Sequence, residues 1–298
     1  MATKHTETPP AVLAGAGTGG ARLIDGRALS QQVRDAIRAR VQTRGRPVRL
    51  DALLVGDDRP AEIYALNQAK TCAEVGIEYL LHRLPAGSSY ADIAGRVLLL
   101  NSEDQVRALM IHLPLPAGVD TERIQSLISP EKDVEGVNPA NIGNVVYGRR
   151  SLVPCTALAT VEMIESTGIE LRGKRCVIVG ASNIVGKPIA VLLMRAEATV
   201  ISANKFTPEL PALARTADVL VAACGVPRLV TADWVKPGAV VVDVGINRVP
   251  GPDGKAITVG DVDFEAVRAK AGWISPVPGG VGPMTVAMLL RNVVDAAS

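Results

Sequence analysis

Arg175-Cys176-Val177-Ile178-Val179-Gly180-Ala181-Ser182-Asn183-Ile184-Val185-Gly186-Lys187-Pro188-Ile189 is the stretch whose reading decides the fold. Residues 176–179 form a short, largely β-branched run of the kind that makes a buried strand, and Gly180 ends it. An apolar helix follows from near Gly186, with Pro188 in its first turn, where a missing N–H removes no hydrogen bond. A glycine turn between a strand and a helix N-terminus aims several unpaired N–H groups at one point, an arrangement that suits a phosphate. The spacing is not Gly-x-Gly-x-x-Gly, because Ser182 holds the middle position and the last glycine comes one residue late. On chemistry alone, a dinucleotide site and a plain strand-turn-helix both remain open.

Outward from this turn, the second half of the chain alternates strands with helices or loops. A helix from about Thr156 to Thr167 precedes the strand at 175–179, and further strands are expected at 198–202, 217–223, 239–244 and near Trp273-Ile274. That alternation predicts a parallel sheet covered on both faces. In the first half, Ser30 reads as the cap of a helix running to about Arg44, followed by a strand at 48–55 and a loop at 56–60. The pattern from Ala61 to Val75 is helical and puts Tyr64, Gln68 and Cys72, each four apart, on one face. Strands at 77–83 and 107–111 flank a helix at 91–101, and Leu113-Pro114-Leu115-Pro116 stops the second of them. Residues 1–21 read as a disordered leader. The fold class predicted is α/β, with two α/β domains and a cleft between them. Residues 22–150 and the apolar C-terminal helix 282–298 form the first, and residues 151–281 form a Rossmann-like second domain.

Composition narrows the function. Lys+Arg 32 against Asp+Glu 30 leaves a net charge of +2 without a basic block, which argues against nucleic acid. Hydrophobic residues make up 48% but aromatics only 3%, so Val, Leu, Ile and Ala must fill the core. No apolar run reaches the ~18–20 residues of a membrane span. The N-terminus lacks a hydrophobic signal core. Cys72, Cys155, Cys176 and Cys224 are dispersed in apolar surroundings and read as buried thiols, consistent with a cytoplasmic protein. Three scattered histidines offer no metal-ligand spacing.

Several motifs together resemble one family. They are Tyr64 after Val-Gly-Asp-Asp, Leu113-Pro-Leu-Pro116, Lys132-Asp-Val-Glu-Gly136, Pro154-Cys-Thr156, the turn at 180–188, Asp243-Val-Gly-Ile-Asn247, and Pro276-Val-Pro-Gly-Gly-Val-Gly-Pro-Met-Thr285. In register from about residue 22 onward, the chain resembles the bifunctional methylenetetrahydrofolate dehydrogenase/methenyltetrahydrofolate cyclohydrolase family. The resemblance implies a cytosolic homodimer that passes hydride from 5,10-methylenetetrahydrofolate to NADP, less often NAD, and then hydrolyses the methenyl cation in the same cleft. It places folate beside Tyr64 and Glu135 and under the loop containing Pro278, Gly279 and Gly280. For the cofactor it implies Gly180, Ser182, Asn183, Ile184, Gly186, Cys224, Gly245, Asn247 and Thr285. Lys205, with no acidic residue at 203–207, favours the 2′-phosphate of NADP over NAD.

The departures from the family pattern cluster in the folate half. The family has lysine four residues after the tyrosine, and this chain has Gln68; Lys70 lies about 200° around a helix from Gln68 and cannot stand in. Glutamine before Leu-Pro-Leu-Pro is His112, and the second aspartate of Lys-Asp-Val-Asp-Gly is Glu135. Arg59-Pro60-Ala61-Glu62 replaces Pro-Ala-Ser, and Ala157 and Ala159 replace a proline and a glycine. An amide has no accessible pKa, so Gln68 cannot be a general base. Three readings follow: a dehydrogenase with a crippled cyclohydrolase; an enzyme whose hydrolytic base is His112, beside Tyr64, Gln68 and Glu135 in the catalytic set; or a repurposed paralogue that passes a one-carbon unit to another amine, or only binds folate.

Overall fold

The computed structural model describes residues 20–149, 152–251 and 254–298, and these fall into two compact α/β units. One unit holds residues 20–32 and 156–285; the other holds 33–155 and 286–298.

The larger unit is built on a six-stranded, all-parallel sheet in the order Arg22–Leu23, Trp273–Ile274, Val240–Asp243, Val219–Ala222, Arg175–Val179, Thr199–Ala203. Its central strands are fully buried runs of Val, Ile, Leu and Ala, as a sheet covered on both faces requires. Val177, Val179, Leu220, Ala222, Val241 and Ile274 form one core cluster, so small β-branched side chains do the filling in a chain poor in aromatics. From Arg175–Val179 the chain crosses to Thr199–Ala203 on one side and then to Val219–Ala222 on the other. The strand order therefore reverses at Arg175–Val179, and the loops at the carboxyl ends of these strands part there.

Two expectations change at the edge of this sheet. The first ordered strand, expected in the folate domain, pairs with Trp273–Ile274, so residues 20–32 belong to the dinucleotide-type unit. The other boundaries fall at 155/156 and 285/286. Residue 21 was expected in a disordered leader, yet Ala21 is buried in the core and donates its N–H to Arg268 O at 2.8 Å; residues 1–19 lie outside the described residues. The helix Gly26–Gln42 starts before Ser30 because Asp25 Oδ1 caps it, accepting from Arg27 N and Ala28 N at 3.0 and 3.1 Å. Ser30 is buried and donates back to Arg27 O. An antiparallel pair, Asn247–Pro250 with Ala256–Val259, also went unpredicted.

The smaller unit carries a three-stranded parallel sheet, Glu78–Leu84, Arg49–Val55, Leu109–Ile111. Helix Arg59–Glu74 follows the middle strand, its first turn set by Asp58, which accepts from Ala61 N at 2.9 Å, and by Pro60. Helix Tyr90–Ser102 opens with a capping box between Ser89 and Asp92. It buries Ile93, Val97 and Leu100 against Leu53, Leu109 and Ile111. Helix Val281–Ala296 ends the chain, and its part from residue 286 joins this unit. There the Asn292 amide donates to Val134 O at 2.8 Å and Val153 O at 3.0 Å.

Candidate active site

The turn after Arg175–Val179 can be made only by glycine at two points. Gly180 has φ +117°, and a Cβ there would overlap the Ala223 carbonyl; a Cβ on Gly186 would overlap the Gly180 carbonyl. Helix Gly186–Arg195 starts without a side-chain cap from Val185, while Ser182 Oγ accepts from Gly186 N at 3.4 Å. Asn183 Oδ1 accepts from Lys187 Nζ at 2.7 Å, which brings to the turn a cation that motif reading had passed over. Ile184 is half exposed. Backbone close enough to exclude a Cβ and an adjacent ammonium fit a dinucleotide phosphate. Gly180 N donates to Ala203 O, so this turn is tied to the next strand end. Two residues beyond, Lys205 is exposed, with its ammonium 5.0 Å from the Phe206 ring.

The loops at the neighbouring strand ends are organised by two buried carboxylates. Asp243 Oδ1 accepts from Gly245 N (2.9 Å) and Asp261 N (3.0 Å), and Oδ2 accepts from Val262 N (2.9 Å). Asp261 Oδ2 accepts from Cys224 N (2.7 Å) and Gly225 N (2.9 Å), while Oδ1 accepts from Asn247 Nδ2 (2.8 Å). Cys224, Gly245 and Asn247, far apart in sequence, are thereby brought to one place. A Cβ on Gly245 would overlap the Asp261 carboxylate, which accounts for glycine there. Burial pushes Asp243 up to about 6 against its backbone donors, and burial pushes the Cys224 thiol up to about 11. Asp261 was missed in the sequence, because nothing in Gly260-Asp261-Val262 distinguishes it from a loop aspartate.

In the same unit, Pro278 is exposed, whereas Gly279 (φ +111°) and Gly280 are buried, and Gly26 packs backbone-to-backbone on Gly280 with no room for a Cβ. Thr285 lies in the first turn of the last helix and donates to Val281 O at 3.1 Å.

In the smaller unit, Tyr64 is 68% exposed on helix Arg59–Glu74, and Gln68 one turn later is buried. The Gln68 amide nitrogen lies 3.6 Å from Cys72 Sγ. Lys70 is exposed elsewhere on the helix. His112 is buried, with its N–H donating to Leu53 O at 2.8 Å, one residue beyond the strand. Its Nε2 is 2.7 Å from the hydroxyl of Tyr79. No hydrogen bond joins Gln68 to His112: the amide partners Cys72 Sγ and the ring nitrogen partners the Tyr79 hydroxyl. Burial lowers the His112 pKa and raises that of Tyr79, so the two meet as neutral groups at pH 7. Glu62 pairs with Arg83 at 2.8 Å.

Within Lys132–Gly136 the roles divide. Lys132 Nζ closes the end of helix Tyr90–Ser102, donating to Asn101 O at 2.5 Å and Glu103 O at 3.0 Å. Asp133 is fully buried and accepts from Asn138 N and Asn141 Nδ2. Gly136 (φ +69°) lies against the Val153 carbonyl with no space for a Cβ. Glu135 is only half-buried as a residue, and its Oε2 lies 3.5 Å from Ile111 N. Burial first, and Asp133 second, raise its pKa to about 7. Among the described residues, no group of three or more His, Cys, Asp or Glu is placed to hold a metal ion, and no helix is long and apolar enough to cross a membrane.

Comparison with known proteins decides the family. Residues 24–135 match the model of the tetrahydrofolate dehydrogenase/cyclohydrolase catalytic domain, and residues 154–298 match that of the NAD(P)-binding domain. The chain belongs to the tetrahydrofolate dehydrogenase/cyclohydrolase family. It is 45% identical over 280 residues to the bifunctional protein FolD of Moorella thermoacetica, covering 93% of this chain and 99% of that one. Identity to the FolD of Cupriavidus pinatubonensis is 47%, with 93% and 98% covered. Among solved structures, the bifunctional FolD of Campylobacter jejuni superposes with a TM-score of 0.88 at 40% identity, covering 93% of this chain and 98% of that one. The Trypanosoma brucei FolD, complexed with NADP cofactor and inhibitor, gives 0.85 at 36%, with 93% and 97% covered. The chain is thus a two-domain α/β member of the tetrahydrofolate dehydrogenase/cyclohydrolase family, with a Rossmann-like NAD(P)-binding domain.

Proposed function

We propose that this protein oxidises 5,10-methylenetetrahydrofolate to the methenyl form with NADP as electron acceptor, and does not itself accelerate hydrolysis of the methenyl product. The observation that carries the second half is Gln68: the side chain one turn after Tyr64 is a buried amide beside Cys72 Sγ, unable to take a proton from water. Hydride transfer asks less of the protein. The cation left behind is resonance-stabilised, and bound NADP supplies the two-electron chemistry. The protein's task is to hold the folate and shield it.

In this reading, Tyr64 and the loop of Pro278, Gly279 and Gly280 each contribute to holding folate, as the family resemblance implies. Glu135, when ionised, accepts from the pterin amino and ring N–H groups. The Gly180–Gly186 turn, with Ser182, Asn183 and Ile184, holds the pyrophosphate. Lys205 meets the 2′-phosphate, and Thr285 lies toward the nicotinamide. We place the activity in a cytosolic homodimer, as the family resemblance implies. A hydrolase re-based on His112 has one observation in its favour: burial keeps the ring neutral and therefore able to accept a proton. Its Nε2, however, is already engaged by Tyr79.

The test is reduction of NADP on addition of 5,10-methylenetetrahydrofolate to purified protein, with NAD in parallel. Reduction with NADP at well above the NAD rate supports the reading. No reduction of either cofactor overturns it.

A further inference from the structure

The loops at 224–225 and 245–247 have a polarity that their sequence conceals. Loops at the carboxyl ends of a parallel sheet are usually read as sources of backbone N–H groups for a bound anion. Here those donors are already spent: Cys224 N and Gly225 N go to Asp261 Oδ2, and Gly245 N goes to Asp243 Oδ1. The Asn247 side chain is fixed by the same carboxylate. A carboxylate only accepts, so the amide nitrogen must face Asp261 Oδ1, at 2.8 Å, and the amide oxygen must face away from it. What the Asn247 side chain turns away from the carboxylate, toward a ligand, is its amide oxygen, a hydrogen-bond acceptor.

We propose that Asp261 is a positioning residue that turns Asn247 into an acceptor for the hydrogen-bond donors at the nicotinamide–ribose end of the dinucleotide, namely ribose hydroxyls and carboxamide N–H. The anionic end belongs at the Gly180–Gly186 turn, where Lys187 sits and the backbone leaves no room for a Cβ at Gly180 or Gly186. The inference rests on the dinucleotide reading above and adds which end of the cofactor each loop takes. Asp261 is completely buried and touches no ligand itself; it acts through Asn247 and through the 224–225 backbone.

The inference predicts an inversion. In Asp261→Asn, the new amide directs its N–H₂ at residue 247, whose own amide must turn over and present a donor outward. The swapped pair Asp261→Asn/Asn247→Asp restores an outward acceptor. The test is equilibrium binding, by calorimetry on the full chain, of NADP and of 2′-phospho-ADP, which lacks both the nicotinamide and its ribose. In the wild type, NADP should bind more tightly than the fragment. Asp261→Asn and Asn247→Ala should each weaken NADP about tenfold, or 1.4 kcal/mol, with the fragment changed less than about twofold. The swapped double variant should recover most of the loss.

Asn247→Ala removes only one amide and serves if Asp261→Asn does not fold. Equal losses for both ligands would show a purely structural carboxylate, and unchanged NADP binding would show that Asn247 makes no contact; either overturns the inference. Wild-type protein that binds neither ligand would instead overturn the dinucleotide reading on which it rests.

Discussion

The hydroxyl of Tyr79 lies 2.7 Å from Nε2 of His112, and burial holds both groups neutral at pH 7. This pair ties the strand Glu78–Leu84 to the residue just before Leu113-Pro114. Because folding lowers the His112 pKa below its ordinary 6.5, the unfolded chain binds more protons in the interval below 6.5. The stabilising contribution is present above that value and is lost as pH falls through the folded pKa. In thermal melts between pH 5 and 8, wild type should lose stability relative to His112→Gln as the pH falls, whatever the carboxylates add to both. An identical slope in the variant would count against a buried neutral imidazole.

Tyr79→Phe removes the partner of a buried ring nitrogen while keeping the aromatic volume. The cost expected is about 1–3 kcal/mol, the penalty for an unsatisfied buried polar group. Urea unfolding measures it, and a loss under about 0.5 kcal/mol would mean that the pair is not formed in solution.

Glu135 titrates in the opposite sense. Its pKa is raised from 4.5 to about 7, so the fold favours the protonated acid. Its contribution to stability is greatest below 4.5 and declines as pH rises through about 7. Glu135→Gln should therefore gain about 1 kcal/mol relative to wild type at pH 8 and little at pH 5. For the substrate the sign reverses, because accepting from the pterin requires the ionised carboxylate. KM for the folate should rise as pH drops below about 7, and the variant should show a KM that is high and independent of pH.

Gly180→Ala should be among the most damaging single methyl additions in the protein. The site combines φ +117° with a carbonyl where the Cβ would go, and strain of this kind costs about 1–3 kcal/mol. Loss of NADP binding should accompany the fall in Tm. Lys205→Ala, by contrast, should leave Tm unchanged and reduce the preference for NADP over NAD about tenfold. A variant as selective as wild type would remove Lys205 from the 2′-phosphate site.

Legibility of the sequence differed between the two halves for physical reasons. The buried strands 175–179, 219–222 and 240–243 stood out because a sheet covered on both faces demands unbroken β-branched runs. The Ser30 cap was misplaced because Asp25, equally able to cap, comes first. The short helices Thr121–Gln125 and Pro139–Tyr147 carry too few turns for a periodic signal. Arg22–Leu23 looked like the start of the first domain, and only strand pairing reveals that it edges the other sheet. At the site, Gln68 and His112 were visible as oddities, but their partners Cys72 and Tyr79 and the carboxylate of Asp261 depend on tertiary placement that no local pattern encodes.

Gln68→Lys puts an amine where the amide stands, next to a thiol that burial keeps protonated (pKa about 11). If absence of a proton acceptor is what silences hydrolysis, this change should raise enzyme-dependent loss of the methenyl species at least tenfold, about 1.4 kcal/mol of barrier. No gain would assign the defect to the wider rearrangement around His112.

The most direct measurement supplies purified wild-type protein with 5,10-methylenetetrahydrofolate and NADP and follows reduced cofactor and methenyltetrahydrofolate separately. The account predicts that the two appear together in equal amounts, after which methenyl decays no faster than in buffer without enzyme. Reduced cofactor without methenyl accumulation, or methenyl decay in proportion to enzyme, would contradict it.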